Sequence, residues 1–243
     1  MKIKMKVYRF NAETDEEPHY DVFEVEAQPN DRLLDCLNRI RWEQDSTLSY
    51  RMSCGHGICG SDAMNINGMP ALACQKLVQD YDCTKELLIE PLKYFPVIKD
   101  LTVDMKLFFK RIKAIQPNPP TLQSSDLIQK ERLQTTEERA RIDEAVKCIL
   151  CGCCVAACPV ILEQEPQFIG PAAILREEKY IYDSRASPED RVERMRLMEK
   201  PYGIWGCKSY YMCTIVCPKG IKVTEQILKT KKRIIQELHP KTE

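Results

Sequence analysis

Apolar and polar positions largely alternate along KIKMKVYRF at the N-terminus and again along YDVFEVEA, with a shorter apolar run, ELLIEPL, near residue 90. A period of two sends successive side chains to opposite faces, so these segments predict strands. Between them, DRLLDCLNRIRW places Leu33, Leu34, Leu37 and Ile40 at helical spacing, which predicts one helix with a single apolar stripe. Asn67-Gly68 is a hairpin-type dipeptide and predicts a tight turn between AMNI and PALAC. Together these elements describe a small mixed sheet crossed by one helix.

Past about residue 104 the alternation stops and helical patterning replaces it. LTVDMKLFFKRIKAI reads as an amphipathic helix, and QPNPPTLQSS after it as an extended linker or surface loop. Further helices are predicted over 135–147, 170–182, 188–199 and 223–238. Ser187-Pro188-Glu189-Asp190 is a start signal, with a capping serine and proline at the first helical position. The expected architecture is α+β, with a mixed domain over 1–104 and a helical domain over 105–243.

Composition narrows the chemistry. With 36 basic and 36 acidic residues the formal charge is zero, so nothing in the balance points to nucleic acid. Thirteen cysteines are an odd count that cannot close entirely into internal disulfides. MKIKMKVYRF leads into no apolar stretch of signal-peptide length, so the cysteines read as metal ligands in a reducing compartment. The longest nearly apolar run, CILCGCCVAACPVIL, contains Pro159 and is shorter than the ~20 residues a membrane helix requires. No transmembrane helix or signal peptide is expected.

The first cysteine group lies in SCGHGICGSDAMNINGMPALAC. Cys54 and Cys59 have the spacing of a plant-type ferredoxin loop, and Cys74 suits the remote ligand of a 2Fe-2S cluster. Asp62 stands where that pattern has its third cysteine. Gly55, Gly57 and Gly60 suit a loop whose backbone N–H groups approach the cluster. A zinc site is the competing reading, but zinc motifs favour C-x2-C pairs.

The second group, CILCGCCVAACP, is the bacterial ferredoxin run C-x2-C-x2-C-x3-C-P, in which three cysteines hold one cluster and the fourth serves another. Its partner run is CKSYYMCTIVCP, with Tyr210 where the middle cysteine belongs. Cross-ligation assigns Cys148, Cys151, Cys154 and Cys217 to a 4Fe-4S cluster. Cys158, Cys207 and Cys213 remain for the other. Three thiolates hold three corners of a cube and tyrosine is a poor soft ligand, so a 3Fe-4S cluster is expected; a 4Fe-4S cluster completed by Tyr210 or water is the alternative. The sequence offers no catalytic base or nucleophile beside these sites.

A plant-type site followed by a bacterial-type pair lacking one cysteine resembles the iron-sulfur subunit of succinate dehydrogenase and fumarate reductase, the respiratory complex II family. The likeness covers essentially the whole chain, including QFIGPAAILREEKYIYDSR and CPKG. It implies a plant-type ferredoxin domain of β-grasp fold followed by an all-α bacterial-ferredoxin-like domain. It also implies single-electron transfer between the FAD of a partner flavoprotein and membrane quinone in the respiratory chain, with succinate and fumarate interconverted on the partner. The chain would then sit peripherally on the cytoplasmic face of the membrane, held by the flavoprotein and by one or more anchor subunits. Some members bind the 2Fe-2S iron through an aspartate, which makes the Asp62 carboxylate a candidate monodentate ligand; the other reading has Asp62 capping the loop while Ser61 or water binds. Many ubiquinone-using members carry tryptophan and histidine where Glu163 and Lys208 stand, which leans the quinone toward menaquinone.

The remaining candidates read as follows. Cys36 is expected in the core of its helix, Cys83 as a thiol outside any motif, Cys153 in packing and His56 in a solvated loop. The stretch from Lys219 to Lys241 is basic, with Ile227, Leu228, Ile234, Ile235 and Leu238 as an apolar stripe; its basic face is either solvated or near the anchor or lipid headgroups. Two other functions compete: a homologous subunit serving another flavoprotein, such as a thiol-linked fumarate reductase, and a free-standing ferredoxin or structural metal-binding module.

Overall fold

The computed structural model describes residues 1–115 and 133–240, so the proline-rich stretch at 116–125 lies outside the described residues. Five strands build the main sheet in the order β2-β1-β5-β3-β4. β1 (Lys2–Arg9) pairs antiparallel with β2 (His19–Glu26), β3 (Ala63–Ile66) pairs antiparallel with β4 (Met69–Leu72), and β5 (Leu87–Glu90) joins the two ribbons, parallel to β1 and antiparallel to β3. The alternation seen in the sequence is the reason β1 forms: Ile3, Met5 and Val7 face the core while Lys2 and Lys4 face out. Asn67 and Gly68 both take positive φ, 49° and 81°, the geometry of the two-residue hairpin that the dipeptide predicts.

α1 (Leu33–Arg39) runs into a π-helical turn, Ile40–Gln44. It buries Leu33, Leu34, Leu37 and Ile40 as its spacing requires, and each such side chain contributes roughly 1.5–3 kcal/mol of burial energy. Cys36 is fully buried in the same stripe, and burial pushes its thiol up to about 11.

A second, two-stranded sheet, β6 (Val97–Lys99) with β7 (Thr102–Val103), was not legible in the pattern. It corrects the helix predicted from LTVDMKLFFKRIKAI: Thr102 and Val103 pair with β6, so α2 (Lys106–Ala114) begins later. Its turn is fixed by Asp100, which is buried and accepts from the Arg9 guanidinium at 3.1 Å and from the Ser49 N–H at 2.8 Å.

The helices that follow are α3 (Thr136–Ala140), α4 (Asp143–Val146), α5 (Cys153–Ala156), α6 (Pro171–Ile181), α7 (Pro188–Met198), α8 (Met212–Ile215) and α9 (Val223–Leu238). The helix predicted over 135–147 is thus two short ones, separated by a turn at Arg141 and Ile142. α7 starts as expected, with the Ser187 hydroxyl accepting from the Asp190 N–H.

The described chain forms two compact units that are not continuous in sequence. One contains Met1–Lys106, Ile149–Ala157 and Val216–Lys219; the other contains Leu107–Cys148, Cys158–Ile215 and Gly220–Glu243. In the first, α5 packs on β4. In the second, α6 is covered by α4, α7 and α9. α6 also carries a buried ion pair, Glu177 with Arg194 at 2.9 Å, and a half-buried one, Glu178 with Lys229 at 3.4 Å. α9 buries Val223, Ile227, Thr230 and Ile234, while Leu228 and Ile235 are exposed. The predicted stripe is corrected accordingly, since residues 228 and 235 are each rotated by one helical step away from the buried line. Much of the basic face is used inside this unit: Lys229 pairs with Glu178, Lys231 donates to the Cys207 carbonyl at 2.8 Å, and Arg233 donates to the Ile181 carbonyl at 3.1 Å.

Candidate functional site

The loop before β3 carries the first cysteine group. Gly55, Gly57 and Gly60 take positive φ of 65°, 69° and 71°, a conformation that side chains with a Cβ rarely adopt. The resulting curl aims backbone N–H groups at sulfur. His56, Ile58 and Cys59 donate to Cys54 Sγ at 3.4, 3.4 and 3.3 Å, and Gly57 donates to Cys74 Sγ at 3.3 Å. These donors stabilise the thiolate, and with the His56 N–H contributing most they bring Cys54 down to about 6. Cys74 goes the other way, up to about 12, through burial and then through its hydrogen bond with Asp62.

Asp62 is buried and accepts the Cys74 N–H at 2.6 Å. It forms no ion pair among the described residues. A buried carboxylate is stable when paired or bound to a metal, so this side chain, next to Cys74 and within the influence of Cys151, suits an iron ligand. Ser61, the other oxygen candidate, lies with its hydroxyl 3.2 Å from Cys59 Sγ. Arg32 and Lys219 brace the loop by donating to the carbonyls of Gly55 at 2.7 Å and Gly57 at 3.4 Å. Neither cation was singled out from the sequence, although Lys219 belongs to the CPKG motif. His56 is exposed, as expected.

Of the second group, Cys151, Cys154 and Cys217 lie in the first compact unit, and Cys148 ends a segment of the second. Cys153 is fully buried. Its thiol is raised well above the usual range by its hydrogen bond to Cys151, then by burial, then by the charges of Cys151, Cys154 and Cys217. Its full burial on α5 is the packing position expected for it. The two cysteine-bearing loops of this unit meet at Gly60, where an added Cβ would lie 2.7 Å from Cys151 Cβ.

The third group is gathered wholly within the second unit. Cys158, Cys207 and Cys213 line one partly open cavity, and Tyr210 lines it with them. Burial raises the thiols of Cys158 and Cys213, and both are raised further by the neighbouring cysteine sulfurs. Positive φ at Ser209 and Tyr211, 58° and 64°, shapes the loop around Tyr210. The Tyr210 hydroxyl accepts from Gln164 Nε2 at 2.8 Å and the side chain is half exposed, so its oxygen already has a partner. Among the described residues no three histidine, cysteine, aspartate or glutamate side chains are gathered tightly enough to hold a single metal ion. A cluster is a multi-atom core whose ligands ring it, and the sulfur-directed N–H groups, the buried Asp62 beside Cys74 and the cysteine-lined cavity fit such a core.

These features define an iron-sulfur protein with a plant-type loop and a paired bacterial-type site. Residues 4–110 match the family model of a 2Fe-2S iron-sulfur cluster binding domain, and residues 144–221 match that of a 4Fe-4S dicluster domain. The chain is 41% identical over 233 residues to the succinate dehydrogenase iron-sulfur subunit of Coxiella burnetii, covering 95% of this chain and 96% of that one. It therefore belongs to the family of succinate dehydrogenase iron-sulfur subunits. Its fold matches a chain of the Mycobacterium smegmatis Sdh1 complex in the apo form, with a TM-score of 0.87 at 27% identity over 99% of both chains. A hypothetical protein from Helicobacter pylori shares the fold at a TM-score of 0.58 and 18% identity, over 96% of this chain and 39% of that one.

Proposed function

We propose that this chain passes single electrons within a succinate:quinone oxidoreductase, with Cys54, Cys59, Asp62 and Cys74 holding 2Fe-2S, Cys148, Cys151, Cys154 and Cys217 holding 4Fe-4S, and Cys158, Cys207 and Cys213 holding 3Fe-4S. Bound clusters supply one-electron carriage between the FAD of a partner flavoprotein and membrane quinone. The chain's own residues hold and tune. The N–H groups around Cys54 keep its sulfur anionic, and Asp62 adds a hard oxygen to a soft site. The single observation that carries the three-iron assignment is the cavity in which Cys158, Cys207 and Cys213 converge with Tyr210 at the place of a fourth cysteine.

The complex is membrane-associated through its anchor subunits, and no helix among the described residues is long and apolar enough to cross a bilayer. The finer placement proposed is peripheral, on the cytoplasmic face. Lys208 is exposed at the rim of the cysteine-lined cavity and Glu163 is exposed on the adjacent π-helical turn, Val160–Gln164. Neither is the tryptophan or histidine that many ubiquinone-using members of the resembling family carry there, and menaquinone is proposed as the acceptor or donor on that ground. Anaerobic purification of the complex tests the assignment. It should yield about nine irons on this chain and succinate-dependent reduction of a menaquinone analogue. About ten irons would favour a completed fourth corner, and a soluble assembly indifferent to quinones would overturn the proposal.

A further inference from the structure

Thr224 is fully buried in the first turn of α9 and lines the cavity that holds Cys158, Cys207 and Cys213. Its Oγ1 lies 3.3 Å from Cys213 Sγ. Its backbone N–H donates to Thr214 Oγ1 at 2.9 Å, and the Thr214 hydroxyl donates back to Thr224 Oγ1 at 3.1 Å. The order of donors fixes the direction of the chain. Thr214 Oγ1 accepts from the N–H and spends its one proton on Thr224, so the single Thr224 hydroxyl proton is left for sulfur. A coordinating thiolate can only accept, which is the complementary role.

We propose that Thr224 is a positioning residue that donates a hydrogen bond to the Cys213 ligand and raises the reduction potential of the cluster held there, with Thr214 holding the hydroxyl in that direction. The inference rests on the reading of Cys158, Cys207 and Cys213 as ligands. Its physical basis is that reduction adds negative charge to the cluster, and a donor aimed at a ligand sulfur stabilises the more negative state. Linked donors polarise one another in the same sense, so the Thr214 hydroxyl strengthens the bond it orients. Loss of a hydrogen bond to a charged acceptor is expected to change the reduction equilibrium about tenfold, which for a one-electron couple is about 59 mV.

The test is a redox titration followed by electron paramagnetic resonance on the intact complex carrying wild type, Thr224→Val, Thr224→Ser or Thr214→Val. Thr224→Val keeps the shape and removes the donor, so its 3Fe-4S potential should fall by about the amount above. Thr224→Ser should restore most of it, and Thr214→Val should fall between. Pulsed resonance on wild-type protein in deuterated buffer needs no variant to fold, and it should show a coupled exchangeable deuteron that the valine variant lacks. Absence of an oxidised-state 3Fe-4S signal in wild type would overturn the ligand reading and this inference together. A wild-type signal whose potential is unmoved in Thr224→Val, or moves equally in Thr224→Ser, would overturn the inference alone.

Discussion

Gly60→Ala is the substitution whose consequence follows most directly from the geometry. Gly60 sits at a φ of +71°, and a Cβ there would lie 2.7 Å from Cys151 Cβ and 3.1 Å from Cys151 Cα. Alanine in left-handed geometry costs ~1–2 kcal/mol, and forcing a methyl against another residue's backbone adds ~1–3 kcal/mol. Gly68→Ala is the matched control, because Gly68 has a φ of +81° but nothing within 4 Å of the added Cβ, leaving the conformational cost alone. The difference, about 2 kcal/mol, corresponds to about 4–8 °C in Tm for a chain of this size. Thermal unfolding of both variants, with the resonance signals of the 2Fe-2S and 4Fe-4S clusters measured on the same samples, separates the two costs. Gly60→Ala should melt lower than Gly68→Ala and lose signal from both clusters, since it displaces a loop that carries Cys59 against one that carries Cys151. Equal Tm and equal cluster content in the two variants would refute the contact between the loops.

Three further outcomes are expected. Asp62→Cys should retain the 2Fe-2S cluster at a shifted potential while Asp62→Ala weakens it; an unshifted signal in both variants would remove Asp62 from the ligand set. Tyr210→Cys should supply the fourth corner and replace the oxidised-state 3Fe-4S signal with a 4Fe-4S signal on reduction, because Tyr210 lines the same cavity as the three cysteines. Burial pushes the Glu177 and Glu178 carboxyls up to about 7 against the opposing pull of Arg194 and Lys229. The folded state then binds their protons more tightly than the unfolded state, so stability is highest near the unfolded carboxyl range and falls as pH rises through 7, by on the order of 1–3 kcal/mol per carboxyl. Melting curves from pH 5 to pH 8 should show this decline, and Glu178→Gln should reduce it to the share of Glu177.

What the sequence revealed follows from the range of the interactions involved. β1, β2 and the β3–β4 hairpin were legible because period-two burial and the Asn67-Gly68 turn are local. So was the start of α7 at Ser187. The β6–β7 pair escaped because Thr102 and Val103 are held by a partner strand and by the buried Asp100, neither of which leaves a periodic trace. The candidate ligand groups were visible through spacing, as iron-sulfur loops require a fixed reach along the chain. Roles that depend on contact were not: the Lys219 bond to Gly57 and the turning inward of Lys229, Lys231 and Arg233 arise where distant segments meet. The mixed character of α9 illustrates the difference, since composition marked it as amphipathic but only packing decided that Ile234 is buried and Ile235 is not.

The account turns on three cysteines serving a cluster with an open corner. Electron paramagnetic resonance of the anaerobically purified, oxidised complex tests this most directly. The account predicts a 3Fe-4S signal in the oxidised state that disappears on one-electron reduction, with the signals of the other two clusters developing as they are reduced in turn. An oxidised sample with no 3Fe-4S signal would contradict it.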